Sequence, residues 1–140
     1  MFALRLKSGS YLCTNAKPGE ALRALDTTEL GEISLRSEFL HATFADRDAT
    51  YLLIGERSLH LPQAHLRVRQ ENDCIEIMSD VFARQVTLQF NGVTGAVFED
   101  NFFDLVPGRT RRLSVVNAAG GTQLDVHALN AGPLTIPWKP

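Results

Sequence analysis

The feature that most constrains the fold is a period-two alternation of apolar and polar residues along the second half of the chain. Gln85–Phe90 shows the alternation most clearly, because Val86, Leu88 and Phe90 share one face of an extended segment. Turn-forming residues separate such segments roughly every 8–12 residues. Strands of this length with one apolar face are typical of an antiparallel β-sandwich, so the sequence predicts an all-β fold.

Four further segments show the same alternation and are predicted strands: His65–Gln70, Cys74–Ser79, Arg111–Asn117 and Gln123–Leu129. His127 alternates with the apolar residues of its strand, so its side chain is expected to face outward. The predicted turns are Glu71–Asp73, Asn91–Gly95 and Ala118–Gly121. The tail, Gly132–Pro140, contains too many prolines for a central strand.

The first part of the chain has a weaker pattern of short apolar segments. The predicted strands are Phe2–Leu6, Tyr11–Thr14, Ala21–Leu25, Ile33–Leu35, Phe39–Phe44, Tyr51–Ile54 and Leu59–Leu61. Ala45–Ala49 is the predicted hairpin loop between two of them. Glu20–Leu30 is also rich in good helix formers, so a short helix is the alternative to the preferred strand there.

Composition excludes several classes of protein. The 140 residues carry a formal net charge of −2, which gives no reason to expect nucleic acid or an anionic membrane as a partner. No apolar run approaches the ~18 residues of a membrane span, and no signal peptide is recognisable, so a soluble domain of open localisation is expected. Cys13 and Cys74 form no metal-binding motif, and free thiols are preferred over a disulfide between them.

The stretch Val97–Gly108 combines an acidic turn, a short aromatic strand and a Pro-Gly reversal. Phe103 and Leu105 share one face of the strand and are expected to be core residues, whereas Phe102 and Asp104 share the other face. Pro107-Gly108 is typical of a tight turn in which the glycine takes a positive φ.

This stretch resembles a known family. Asp100–Gly108 is similar to the DN-F-F-x-L-x-PG signature near the C-terminus of β-mannosidase-type enzymes of glycoside hydrolase family 2. Leu59–Pro62 resembles that family's link into its C-terminal sandwich, Ser79–Val86 resembles a strand pair, and Leu124–Leu129 resembles the last core strand. The resemblance covers residues 39–130.

The resemblance implies an immunoglobulin-like or fibronectin III-like antiparallel sandwich over residues 39–140, with residues 1–38 as the end of a preceding sandwich domain. It also implies a non-catalytic accessory domain, because the family's two catalytic Glu lie on a separate (β/α)₈ barrel. No catalytic, cofactor or metal residue is therefore carried over. The expected partners are the other domains of the parent hydrolase, which would cover an apolar patch formed by Phe102 with Val116 and Leu129. Weak self-association of the isolated chain through that patch is also expected. The motif residues assigned a structural role are Asp100, Asn101, Phe102, Phe103, Asp104, Leu105, Pro107 and Gly108.

Three alternatives to this interpretation are weighed on the residues themselves. The carboxylates of Glu99, Asp100 and Asp104 are of the type that a glycosidase or a Ca²⁺ site needs. A role in turn formation, with the acids exposed to solvent, explains them better. The four histidines, His41, His60, His65 and His127, have no metal-ligand spacing. A stand-alone carbohydrate- or protein-binding module is the competing function, for which Trp138, Tyr11, Tyr51 and Phe102 are the candidate exposed aromatic residues.

Overall fold

The computed structural model describes the backbone of residues 2–5, 11–14, 34–44 and 47–139, and the side chains of residues 34–42 and 49–139. The chain forms two compact units, Met1–His60 and Leu61–Pro140. The alternative helix or strand at Glu20–Leu30 and the predicted strand Ala21–Leu25 lie outside the described residues.

The first unit contains, among its described residues, an antiparallel sheet of four strands in the order β2-β1-β3-β4. Its strands are β1 (Phe2–Arg5), β2 (Tyr11–Thr14), β3 (Phe39–Phe44) and β4 (Arg47–Leu52). The predictions of β1, β2 and β3 are confirmed. The hairpin loop is shorter than predicted, since Phe44 pairs directly with Arg47.

Ile33–Leu35 was predicted as a strand, and this prediction is wrong at Leu35, which lies in a turn. The backbone N–H of Ser37 donates to the carbonyl of Ser34 at 3.1 Å. The N–H of Ser34 in turn donates to the Glu38 carboxylate at 2.9 Å. These local bonds close a turn, which competes with an extended strand.

The predicted strand Tyr51–Ile54 is correct only for its first two residues, which end β4. A short 3₁₀ helix, Glu56–Ser58, follows. The predicted strand Leu59–Leu61 is wrong, because these residues belong to no strand of the described chain.

The second unit is a sandwich of two antiparallel four-stranded sheets, ordered β5-β6-β10-β8 and β12-β11-β7-β9. Its strands are β5 (Leu66–Glu71), β6 (Cys74–Ser79), β7 (Ala83–Phe90), β8 (Val97–Phe98), β9 (Phe103–Leu105), β10 (Thr110–Val116), β11 (Gln123–Ala128) and β12 (Ala131–Pro137). The predicted all-β sandwich is confirmed. The predicted strands from His65 onward are present, with bounds that agree or differ by at most two residues.

One apolar cluster fills the second unit and draws on both sheets. Most residues that alternation places on the inner faces of the strands are buried members of this cluster: Ile75, Ile77, Val86, Leu88, Phe90, Phe103, Leu105, Leu113, Val115, Leu124 and Val126. Alternation also places Leu66, Val68 and Ala128 inward, and these three are half-buried and pack against the cluster. At one end of the cluster, the Phe90 ring stacks on Phe98 at a centroid distance of 5.3 Å. Trp138 meets the same Phe90 ring edge-on at 5.0 Å. Such aromatic pairs add to the stability that burial of the rings supplies.

The proline-rich tail forms β12, which pairs with β11 alone among the described strands. Proline is tolerated in such an edge strand because one side of the strand donates no ladder hydrogen bonds. The side-chain amide of Gln70 on β5 bonds the backbone N–H and carbonyl of Lys139. The N–H of Ala64 donates to the carbonyl of Asn130 at 2.8 Å. The two sheets are thus joined along the β5–β12 side.

The two units divide between His60 and Leu61. β3 and β4 follow residue 39, where the sequence analysis placed the start of the sandwich domain. β3 nevertheless pairs with β1, and β4 pairs with β3, in the sheet of the first unit. Period-two alternation identifies strands and their faces, but it contains no signal for the sheet to which a strand belongs.

Candidate functional site

The stretch Glu99–Gly108 carries the chain from the first sheet of the sandwich to the second. It leaves β8, which pairs with β10, and enters β9, which pairs with β7. Both β8 and β9 are the terminal strands of their sheets. The motif therefore lies along the side of the sandwich opposite the β5–β12 closure.

Asn101 acts as a substitute for a strand residue at this crossing. Its Oδ1 accepts a hydrogen bond from the N–H of Leu88 at 2.9 Å. Its Nδ2 donates to the carbonyl of the same Leu88 at 3.0 Å. Leu88 is a buried residue of β7, and β9 is too short to pair with it. The amide thus satisfies two backbone groups that would otherwise lose their water without a partner.

Phe102 and Phe103 are adjacent but lie in opposite environments. Phe103 is 7 % exposed, and the Arg111 guanidinium carbon lies 4.6 Å from its ring centroid, a cation–π geometry. Phe102 is 71 % exposed and adopts a φ of +62°. A bulky residue in this region is a genuine conformational outlier. The predicted opposition of the two faces is confirmed, and Phe102 is an exposed ring on a strained backbone.

Asp104 holds an irregular pairing between β7 and β9. The register shifts between Ala83 and Val86, and the intervening Gln85 has a φ of +52°. The Asp104 carboxylate accepts from the N–H of Gln85 at 3.0 Å and from the guanidinium of Arg84 at 2.8 Å. Its side chain is only 8 % exposed. The expectation that the acids of this motif are solvated is therefore wrong for Asp104. Its carboxylate is buried because it accepts hydrogen bonds from the bulged segment of β7.

Glu99 and Asp100 are also engaged by neighbouring groups. The Glu99 carboxylate accepts from the N–H of Ser114 at 3.0 Å and from its hydroxyl at 2.9 Å. The backbone bond from Ser114 is the largest cause that holds the pKa of Glu99 below its ordinary value of 4.5. Asp100 caps the N–H of Asn101 at 2.8 Å and pairs with Arg111. All three carboxylates of the motif thus fix the backbone.

The motif ends in a turn of the expected type. The N–H of Arg109 donates to the carbonyl of Val106 at 3.2 Å across Pro107-Gly108. Gly108 has a φ of +72°, which a type II turn requires at its third position. The predicted positive φ is confirmed. Leu105, which precedes the turn, is 2 % exposed and is the core residue that alternation predicted.

Asn130 is a residue of this region that the sequence analysis missed. Its Oδ1 accepts from the N–H of Arg84 at 3.0 Å, and its Nδ2 donates to the carbonyls of Phe82 and Pro62 at 2.8 and 2.7 Å. It therefore ties the start of β7 to the segment before β5. Its one signal in the sequence is an asparagine between two strands, which equally predicts an ordinary turn.

Two expectations about exposed aromatic and apolar residues are corrected. Trp138, a candidate sugar-stacking residue, is 4 % exposed and belongs to the core. Phe102, Val116 and Leu129 were expected to share an apolar patch, and all three are exposed. However, Val116 lies on β10 in one sheet, while Phe102 and Leu129 adjoin β9 and β11 in the other. Alternation gives the face of a residue within its strand, not the sheet that carries the strand.

The other aromatic, histidine and cysteine residues considered in the sequence analysis form no site with one another among the described residues. Tyr51 is 68 % exposed on β4, the side chain of Tyr11 lies outside the described residues, and His127 is exposed as predicted. Cys74 is a free cysteine. Within the part of the chain that the structure describes, no group of three His, Cys, Asp or Glu side chains is placed to hold a metal ion. The described residues also include no helix that could cross a membrane.

The architecture defines the class of protein as an immunoglobulin-like β-sandwich. Residues 59–130, just over half of the chain, match the family model described as "Ig_mannosidase: Ig-fold domain". The chain belongs to this family of Ig-fold domains associated with mannosidases. The resemblance drawn from the Asp100–Gly108 motif is confirmed. A search of curated proteins found no match.

Proposed function

We propose that the chain is a non-catalytic accessory domain of a β-mannosidase-type glycoside hydrolase of family 2, in which it packs against the other domains of the enzyme. The family match over residues 59–130 is the observation that carries the proposal. The parent enzyme hydrolyses β-linked mannosides or related glycosides on a separate (β/α)₈ barrel. The acidic motif supplies no acid or nucleophile, because its carboxylates are committed to backbone groups and arginines.

The contact surface that we propose for this packing is centred on Phe102. The left-handed backbone of a bulky residue costs about 1–2 kcal/mol, and the exposed ring gains nothing from burial. Covering such a ring contributes about 1.5–3 kcal/mol, which offsets the strain once a neighbouring domain packs there. Asp100 and Asp104 on either side are already paired with arginines. An apolar, uncharged surface is therefore the complement that fits Phe102.

A stand-alone binding module for a carbohydrate or a protein is the second candidate. The exposed ring of Phe102 favours it, since sugars stack on exposed aromatic faces. The burial of Trp138 weighs against it, because that residue was the largest aromatic surface available for stacking.

The coding sequence that surrounds this segment separates the two candidates. The proposal requires a (β/α)₈ glycosidase barrel in the same reading frame, and a frame without one contradicts it. In that full-length enzyme, Phe102→Ser should lower the thermal stability while the KM for a β-mannoside stays unchanged. Val116→Ser is the matched control, because Val116 is an exposed apolar residue on the other sheet.

The isolated chain offers an independent check by light scattering across a concentration series. Weak self-association through the uncovered Phe102 is expected, and Phe102→Ser should abolish it while Val116→Ser should not. A strictly monomeric parent whose stability and solubility are unaffected by Phe102→Ser would favour the stand-alone module.

A further inference from the structure

The turn after β7 contains the dipeptide Asn91-Gly92, which is the single Asn-Gly pair in the sequence. Both residues are exposed, and Gly92 has a φ of +75°. A Cβ added at Gly92 would have no atom within 4 Å, so nothing packs against this turn at that point. Asn91 nevertheless has a specific partner, because its Nδ2 donates to Oδ2 of Asp125 on β11 at 2.5 Å.

We propose that Asn91 is a site of spontaneous deamidation, and that the new carboxylate loosens the β11–β12 edge by facing Asp125. The reaction needs only water. The backbone nitrogen of Gly92 attacks Cγ of Asn91 and forms a C–N bond, and the bond from Cγ to Nδ2 breaks. Ammonia leaves with the proton that Gly92 gives up. Water then opens the resulting cyclic imide at one of its two carbonyls, which yields either aspartate or isoaspartate.

Asn91 is distinguished from the other described asparagines by the residue that follows it. Glycine has no Cβ to crowd the approach of its nitrogen to the side-chain carbonyl, and it allows more backbone conformations than any other residue. The residues that follow the other described asparagines all have a Cβ: Asn72 precedes Asp73, Asn101 precedes Phe102, Asn117 precedes Ala118, and Asn130 precedes Ala131. Asn130 is further restrained by its three hydrogen bonds to backbone groups.

The consequence follows from the partner of Asn91. Asp125 accepts from Asn91 through Oδ2 and from the hydroxyl of Thr135 on β12 through Oδ1, at 2.6 Å. The Thr135 bond is the largest cause that lowers the pKa of Asp125 from 3.8, and the Asn91 bond contributes. Deamidation replaces the amide donor with a second carboxylate, so an attraction becomes a repulsion between like charges. Isoaspartate would also add a methylene to the backbone where the N–H of Asn91 meets the carbonyl of Gln123.

Peptide mass spectrometry of the chain, aged at mildly alkaline pH and physiological temperature, tests the reaction. The peptide that contains Asn91 should gain the mass of an amide-to-acid conversion and split into aspartate and isoaspartate forms. The Asn72, Asn117 and Asn130 peptides of the same digest are internal controls and should keep their amides. Gly92→Ala should slow the conversion sharply. An Asn91 amide that survives as long as that of Asn117 would overturn the proposal.

Thermal melting of charge-exchange variants tests the consequence. Asn91→Asp should lower the melting temperature at neutral pH. The double change Asn91→Asp with Asp125→Asn should recover the loss, because it restores one amide donor opposite one carboxylate. The difference in melting temperature between the single variant and the parent chain should shrink on acidification, since protonation removes the repulsion. A single variant that melts with the parent would refute the coupling to Asp125.

Discussion

The side-chain amide of Asn101 makes two hydrogen bonds to the backbone of Leu88, one to the N–H at 2.9 Å and one to the carbonyl at 3.0 Å. These are the bonds that a neighbouring strand residue would make to β7. β9 pairs with β7 only as far as Val86. One asparagine therefore extends the sheet edge while the main chain is still crossing from the other sheet.

Asn101→Asp tests this substitution of a side chain for a strand. The carboxylate keeps an acceptor for the N–H of Leu88 but places a second acceptor against its carbonyl. Leaving a buried polar group without a partner costs about 1–3 kcal/mol, so the free energy of unfolding should fall by roughly that amount. Urea unfolding monitored by circular dichroism measures it. An unchanged midpoint would mean that water replaces the amide at this position.

The adjacent phenylalanines predict opposite effects. Phe103→Ala should destabilise the sandwich by about 3–5 kcal/mol, because it removes a buried ring. That loss is a large share of the ~5–15 kcal/mol that typically stabilises a domain. Phe102→Gly should be neutral or stabilise by up to about 1 kcal/mol, because glycine adopts a φ of +62° without strain. The melting temperatures of the two variants test this difference. If Phe102→Gly lowers the melting temperature as much as Phe103→Ala does, Phe102 has a packing partner in the isolated chain.

The Pro107-Gly108 turn offers a test of backbone strain alone. A Cβ at Gly108 meets no atom within 4 Å, so a substitution there causes no clash, but its φ is +72°. Gly108→Val should therefore cost about 1–3 kcal/mol through strain. Gly132→Val is the matched control, because a Cβ at Gly132 is equally unhindered and its φ lies outside the positive range. Equal stabilities of the two variants would contradict the strain argument.

The loss of folding stability at acidic pH should depend on Asp80. Its carboxylate accepts from the N–H of His65 at 2.9 Å, and this backbone bond is the largest cause that lowers its pKa from 3.8. Because the folded pKa lies below the unfolded value, the contribution is complete above pH 3.8 and is lost as the pH falls through the folded pKa. In Asp80→Asn, the urea unfolding midpoint should therefore fall less steeply as the pH decreases. Asp73→Asn, at an exposed acid in the turn between β5 and β6, is the control for the loss of one negative charge. The same change of pH dependence in both variants would contradict the role of the His65 bond.

The sequence predicted much of the sandwich because its strands have one buried face. The pattern at Cys74–Ser79 and Gln85–Phe90 needed only period two to place Ile75, Ile77 and Val86 in the core. The same rule could not show that Val116 and Phe102 lie on different sheets, since sheet membership depends on long-range pairing. Trp138 was missed as a core residue because proline-rich tails rarely form strands, and here the edge position of β12 makes the exception.

The motif was predicted in outline but not in its polar contacts. Alternation placed Phe103 and Leu105 inward, and turn chemistry gave the positive φ of Gly108. The bulge at Gln85 and the acceptor role of Asp104 were not predictable, because they join residues nineteen positions apart through a side chain. The clamp made by Asn130 was hidden for the same reason, since its partner Pro62 lies far away along the chain.

Hydrolysis of nitrophenyl β-mannoside by the purified chain tests the central claim most directly, namely that the carboxylates of the acidic motif hold the fold and perform no catalysis. The account predicts no turnover by the parent chain. It also predicts a lower urea unfolding midpoint for Glu99→Gln, because the Glu99 carboxylate accepts a hydrogen bond from the N–H of Ser114. Turnover that disappears in Glu99→Gln, with the unfolding midpoint unchanged, would contradict it.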